Sequence, residues 1–164
     1  MSTNEATEVH LRVDGEEQTA RVDPRMLLVE ALREDFGRTG PKIGCLTGDC
    51  GACTVRLNGD IVKSCLELAV ACDGSSVDTI EGMGTNGRLS PVQEAFWDEY
   101  AFQCGYCLSG MLFAVQDLID RIPDPSEEEI RKAISGNLCR CTGYENIVQA
   151  ALAAAARTQS ANRT

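Results

Sequence analysis

The chain has 164 residues, 43% hydrophobic and 24% charged, a balance that suits a globular protein with one solid core or two small ones. Its formal net charge of −10 comes with no basic stripe, which argues against a nucleic-acid partner. No run of about 18 apolar residues occurs, and residues 1–10 (MSTNEATEVH) offer neither a basic start nor an apolar stretch. Neither a membrane span nor a signal peptide is expected, and a cytoplasmic location is, unless a partner with its own signal carries the chain outward.

In chain order, Val9, Leu11 and Val13 alternate along a first strand. Asp14-Gly15 then turns the chain into a second strand reaching about Val22. Asp23-Pro24 opens a predicted helix with Leu27, Leu28, Ala31 and Leu32 at helical spacing, ended by Gly37. A Gly/Cys-rich loop follows over 37–53. Next comes a hairpin around Asn58-Gly59, with strands at 54–57 and 61–64, and then a last strand near 77–80. Residues 82–88 (GMGTNGR) read as a linker, since three glycines cluster between two periodic regions.

Beyond the linker the pattern is helical. Ser90-Pro91-Val92-Gln93 reads as an N-cap, a proline at the first helical position and a capping-box glutamine, for a helix running to about Ala101. Residues 111–119 form a second helix. Ser126 with Glu129 repeats the capping logic for a third, stopped by Gly136, and 144–156 form a fourth. The expected organisation is an α+β domain over 1–81, a linker over 82–88 and an all-α domain over 89–164.

Nine cysteines are the anomaly: Cys45, Cys50, Cys53, Cys65, Cys72, Cys104, Cys107, Cys139 and Cys141. An odd count at short spacings, without an export signal, favours metal binding over disulfides. With His10 the sole histidine, any metal site must be nearly all thiolate, which favours iron–sulfur or structural zinc over catalytic zinc. Cys45, Cys50 and Cys53 have four and then two residues between them, the plant-type [2Fe–2S] spacing, and Cys65 follows after eleven more. Gly44, Gly48 and Gly51 let such a loop aim N–H groups at sulfur. Those bonds favour the reduced, more negative cluster. A zinc knuckle is the alternative, disfavoured by so glycine-rich a loop.

The second group pairs Cys104 and Cys107, two residues apart, with Cys139 and Cys141, one residue apart. On spacing alone, iron–sulfur and zinc stand even. Both arms fall at helix ends, so four helices could present four thiolates at one end of a bundle. Cys72 sits in an apolar stretch and reads as a small buried hydrophobe. His10 reads as a surface residue of the first strand.

The runs Gly44-Cys45-Leu46-Thr47-Gly48-Asp49-Cys50-Gly51-Ala52-Cys53-Thr54-Val55, Ser64-Cys65-Leu66, Gln103-Cys104-Gly105-Tyr106-Cys107 and Gly136-Asn137-Leu138-Cys139-Arg140-Cys141-Thr142-Gly143-Tyr144 resemble the xanthine oxidase family of molybdenum hydroxylases. The chain is similar to the separate small iron–sulfur subunit of bacterial members. The resemblance implies a β-grasp ferredoxin-like domain followed by a four-helix-bundle domain, with one [2Fe–2S] cluster in each. It implies Cys45, Cys50, Cys53 and Cys65 as ligands of one cluster, and Cys104, Cys107, Cys139 and Cys141 as ligands of the other.

It further implies a large molybdopterin-binding subunit beside the helical cluster and a medium FAD-binding subunit beside the ferredoxin-like one, in a heterotrimer or a dimer of heterotrimers. Gln103 matches the residue that hydrogen-bonds the pterin, and Cys141 the ligand nearest the pterin amino group. A helix-terminal capping amide is the plainer reading of Gln103. One departure is Leu108-Ser109, where the family commonly has Thr-Pro.

By resemblance, the holoenzyme hydroxylates an aromatic N-heterocycle or a related small molecule with oxygen from water, and this chain relays electrons from molybdenum through the helical and then the ferredoxin-like cluster to FAD. Carbon monoxide or aldehyde dehydrogenase is the alternative holoenzyme. No catalytic base, Ser/His/Asp set or phosphate-cradling loop is visible, so turnover belongs to another chain. A free-standing ferredoxin-like shuttle is the competing class, and a carrier of that kind has no use for a second domain.

Overall fold

The computed structural model describes residues 6–161; residues 1–5, part of the stretch in which no signal peptide is expected, lie outside them. Five strands form one mixed sheet: β1 (Thr7–Val13), β2 (Glu16–Val22), β3 (Thr54–Leu57), β4 (Asp60–Lys63) and β5 (Ser76–Asp78), in the order β2-β1-β5-β3-β4. β1 and β5 run parallel, and the remaining neighbours are antiparallel. Both hairpin turns are the expected dipeptides, with positive φ at Asp14 and Gly15 and again at Asn58 and Gly59, the twist that suits two-residue hairpins.

Helix α1 (Leu28–Glu34) packs Leu28, Ala31 and Leu32 against Val9, Leu11, Val13, Val55 and Val77 to make the sheet core. The helix starts later than Asp23-Pro24 suggested. Leu27 is extended and bridges Leu68, while the Glu30 carboxylate accepts its N–H at 2.9 Å. Strand-like pairing there satisfies the backbone that a longer helix would have left to solvent. Asp14 anchors the far edge. Its buried carboxylate accepts from Thr79 N (2.6 Å), Thr79 Oγ1 (2.8 Å) and Arg38 Nε (2.7 Å), tying the first hairpin to the chain beyond β5.

Residues 85–88 close a tight turn, with Thr85 and Arg88 exchanging both backbone hydrogen bonds and Asn86 and Gly87 at positive φ. Four helices follow: α2 (Pro91–Asp98), α3 (Leu108–Arg121), α4 (Glu127–Ala133) and α5 (Tyr144–Ala161). Ser90 and Ser126 cap α2 and α4, each with its reciprocal Gln93 or Glu129 bond. A second core gathers Val92, Phe96, Met111, Val115, Ile130, Ile147 and Val148.

With α1, the described residues form five α-helices, and the helical half is not a self-contained bundle. α3 lies against β3 and β4 as well as α2 and α4. It buries ten residues around most of its circumference, as a helix sandwiched between two layers must. No helix among the described residues is long and apolar enough to cross a membrane.

Candidate metal centres

All nine cysteines are free thiols, and eight of them form two groups of four. In the first, Cys45 and Cys50 make thiol–thiol contact, as do Cys53 and Cys65, and Cys45 also acts on Cys65 and Cys53 on Cys50. The Thr47 and Cys50 N–H groups both donate to Cys45 Sγ at 3.4 Å, the aim that the glycine pattern anticipated. Gly44 serves by close approach, since a Cβ there would stand 2.7 Å from Cys50 Sγ. The loop also holds Leu46 at φ 61, a left-handed conformation that L-residues adopt only under constraint. Cys65 sits on a short 3-10 turn (Ser64–Leu66), pinned by Ser64 Oγ donating to Cys53 O at 2.6 Å.

In the second group the thiol contacts pair Cys104 with Cys141 and Cys107 with Cys139, and Cys104 also acts on Cys107. Cys107 immediately precedes α3; Cys139 and Cys141 lie in the turn before α5. Tyr144 Oη accepts the Cys139 N–H at 2.8 Å, fixing that turn from the first residue of α5. Gln103 Nε2 lies 3.5 Å from Cys141 O. Because α2 ends at Asp98 and α3 begins at Leu108, Gln103 caps neither helix. The structure therefore brings Gln103 and Cys141 together.

The thiols differ in acidity by position. Cys45 is pulled down to about 6, first by the Thr47 side chain and then by the two N–H donors. The Tyr106 N–H draws the exposed Cys104 down as well. Burial pushes Cys65 up to about 11 and Cys107 up to about 12, and raises Cys50. Four thiols in such a group could not all ionise unaided, so a cationic guest is needed to hold four thiolates together.

Among the described residues, no three His, Cys, Asp or Glu side chains converge as the ligands of a single ion. In each group the thiols meet as two contacting pairs, and two iron atoms take four thiolates as two pairs. Two thiol pairs per group fit a [2Fe–2S] unit.

The two groups are joined. Leu138 N donates to Cys50 O at 2.9 Å, placing one hydrogen bond between a residue of the first group and the neighbour of Cys139. Tyr106 Oη donates to Ile43 O (2.7 Å), Ser109 Oγ to Ala52 O (3.3 Å) and Asn137 Nδ2 to Gly51 O (3.0 Å). Ser109, part of the Leu-Ser departure, thus acts inside the chain as a bridge between halves. Lys63 Nζ reaches Thr54 Oγ1 and Gly136 O, both at 3.0 Å.

Sequence reasoning assigned no role to Lys63, Ser109, Asn137 or Tyr144, and nothing in the spacing of Lys63 signals its contact with residue 136. Cys72 sits in the sheet core, where burial raises its pKa, and His10 is exposed on β1 beside Glu8 and Asp73.

Residues 11–77 match the family described as the 2Fe-2S iron-sulfur cluster binding domain, and residues 79–152 the [2Fe-2S] binding domain. These two matches define an iron–sulfur protein with a cluster domain in each half. The nicotine 6-hydroxylase small subunit of Paenarthrobacter nicotinovorans is 46% identical over 151 residues, covering 92% of this chain and 91% of that one. The nicotinate dehydrogenase small FeS subunit of Eubacterium barkeri is 48% identical over 139 residues, covering 85% and 88%. A chain of quinoline 2-oxidoreductase from Pseudomonas putida superposes with a TM-score of 0.91 at 41% identity, covering 95% of this chain and 98% of that one. The chain belongs to the small [2Fe–2S] subunits of the xanthine oxidase-type molybdenum hydroxylases.

Proposed function

We propose that the chain is the electron-transfer subunit of a molybdenum-containing hydroxylase, with Cys45, Cys50, Cys53 and Cys65 holding one [2Fe–2S] group and Cys104, Cys107, Cys139 and Cys141 the other. The observation that carries this reading is the pair of four-thiol groups whose loops share the Leu138 N–H to Cys50 carbonyl bond. When bound, the two [2Fe–2S] groups supply one-electron redox chemistry at potentials that the protein tunes.

The chain's own residues do the rest. Thr47 and Cys50 N–H groups bond the Cys45 sulfur and favour a more negative centre. Tyr144 and the Asn137–Gly51 bond keep the second ligand turn against the first loop. Buried Cys53, Cys65 and Cys139 keep water from one side of each site, and the exposed Cys104 marks the side open to a partner.

On this reading, Gln103 and Cys141 face the molybdopterin of a large subunit, and the first loop faces FAD on a medium subunit, within a cytoplasmic heterotrimer or its dimer. The substrate is an aromatic N-heterocycle or a related small molecule, in keeping with relatives named for nicotine and nicotinate. Residues 1–81 constitute a β-grasp ferredoxin-like domain and 89–164 a four-helix-bundle domain that shares α3 with the sheet, with 82–88 between them.

The test is Cys104→Ser in the complex as purified. It should remove one of two [2Fe–2S] signals from the paramagnetic resonance spectrum of the reduced protein and stop electron flow from substrate. Persistence of both signals sinks the ligand assignment; failure to copurify with a molybdenum-containing chain sinks the assignment to a complex.

A further inference from the structure

Lys63 ends β4, two residues before Cys65, and points inward between the two halves. Its ammonium has three donors and uses all of them on neutral acceptors: Thr54 Oγ1 at 3.0 Å, Gly136 O at 3.0 Å and Asn137 Oδ1 at 3.5 Å. No ion pair joins it to a carboxylate among the described residues. Burial lowers its pKa, and the sulfurs of Cys53, Cys50, Cys65 and Cys45, once ionised, act in the opposite direction. A half-buried cation without an anionic partner is costly, and removing such a charge from water repays only where negative charge lies close by. The first four-thiol group is the source of negative charge available there.

The same ammonium holds the Gly136–Asn137 turn, which leads directly into Cys139. Asn137 is 3% exposed and completes the arrangement by donating to Gly51 O at 3.0 Å, between Cys50 and Cys53. One cation therefore touches the ligand turn of the second site while facing the ligands of the first.

We propose that Lys63 is a positioning residue that sets the reduction potential of the [2Fe–2S] group at Cys45, Cys50, Cys53 and Cys65, leaving that of the helical group unchanged. This rests on the ligand assignment proposed above. Reduction adds one negative charge, which a nearby cation favours, so Lys63 raises the potential of the nearer group and makes it a better electron acceptor than it would be without that cation. Its three hydrogen bonds keep the ammonium in that place.

The experiment is a redox titration of the full chain in its complex, followed by paramagnetic resonance, on Lys63→Met, Lys63→Gln and Lys63→Arg. Cys45→Ser identifies which signal belongs to the first loop. At the potential that half-reduces the first group in the parent, Lys63→Met and Lys63→Gln should lower its reduced-to-oxidised ratio about tenfold, equivalent to about 59 mV for a one-electron couple. Lys63→Arg should hold the ratio near one, and the second signal should titrate unchanged throughout.

A neutral variant that leaves the ratio at one overturns the proposal. So does Lys63→Arg shifting it as far as Lys63→Met, which would make side-chain shape the cause, or both signals moving together. Should Lys63→Met fail to assemble, the Gln and Arg variants decide. If Cys45→Ser leaves both signals intact, the ligand assignment itself fails; if it removes one while the neutral variants titrate like the parent, the role of Lys63 alone fails.

Discussion

Gly110, in the first turn of α3, lies against Gly51 of the first cysteine loop, and Gly110→Ala tests that junction. A Cβ added there would fall deep inside contact distance of the Gly51 carbonyl oxygen. It would also lie 3.1 Å from the Gly51 carbonyl carbon and 2.7 Å from Asn137 Nδ2, about 0.7 Å short of ordinary contact. The obstacle is backbone, so it cannot swing aside as a side-chain tip would. Overpacking of this kind costs about 1–3 kcal/mol. Separating the loops also weakens the Asn137–Gly51 and Leu138–Cys50 bonds, each worth about 1 kcal/mol net.

Against this, alanine in a helix gains at most about 1 kcal/mol over glycine. The balance is a destabilisation of about 2–4 kcal/mol, or a fall of roughly 4–16 °C in the unfolding midpoint for a chain of this size. The assay is thermal loss of visible charge-transfer absorbance, with far-ultraviolet circular dichroism recorded in parallel. Helix propensity alone demands the opposite sign, so an unchanged or raised midpoint would refute the close approach of α3 to the first ligand loop.

Other expectations are independent of that junction. Cys72→Ser should leave both paramagnetic resonance signals in place, in contrast to Cys104→Ser, because Cys72 packs in the sheet core away from both groups; loss of a signal would make it a ligand. In the cluster-free chain, the Cys45 thiolate appears as pH rises through about 6 instead of the usual 9. Iodoacetamide should therefore modify Cys45 at a rate already level by pH 7, while Cys65, pushed up to about 11, stays slow. A Cys45 rate that keeps climbing between pH 7 and 9, followed by mass spectrometry, contradicts the hydrogen bonds assigned to its sulfur. Asp14→Ala strips three hydrogen bonds from one buried carboxylate and leaves Arg38 only its longer contacts with Glu16 (3.6 Å) and Phe36 O (3.4 Å). Urea unfolding should report a loss of about 2–4 kcal/mol, with Asp14→Asn costing less because it keeps an acceptor and tolerates the positive φ; equal costs would contradict that account.

Much of this protein is written locally. The alternation of Val9, Leu11 and Val13, the Asp14-Gly15 and Asn58-Gly59 turns and the capping boxes at Ser90 and Ser126 depend on neighbours a few residues away, and each appears in the structure as its pattern implies. The glycines around Cys45 and Cys50 likewise announce a loop that bends its N–H groups towards sulfur. Boundaries set by distant partners were less legible. α1 yields Leu27 to a bridge with Leu68, forty-one residues on, and α3 extends to Leu108 and Arg121 because sheet and helices cover it from both sides.

The site divides the same way. The cysteine residues and their grouping into two fours are properties of spacing and motif. Their pairing, with Cys104 meeting Cys141 and Cys107 meeting Cys139, depends on how α3 and α5 pack. So do the bonds from Asn137 to Gly51, Leu138 to Cys50 and Lys63 to Gly136, which cross 73 to 88 residues of chain. Sequence by itself determined that eight cysteines fall in two groups of four, one before and one after the 82–88 stretch, since motif spacing and loop chemistry act over short range. Only the tertiary structure decided that the two cysteine loops share hydrogen bonds and a cation, because such contacts arise where packing of distant segments leaves polar groups no water to bond.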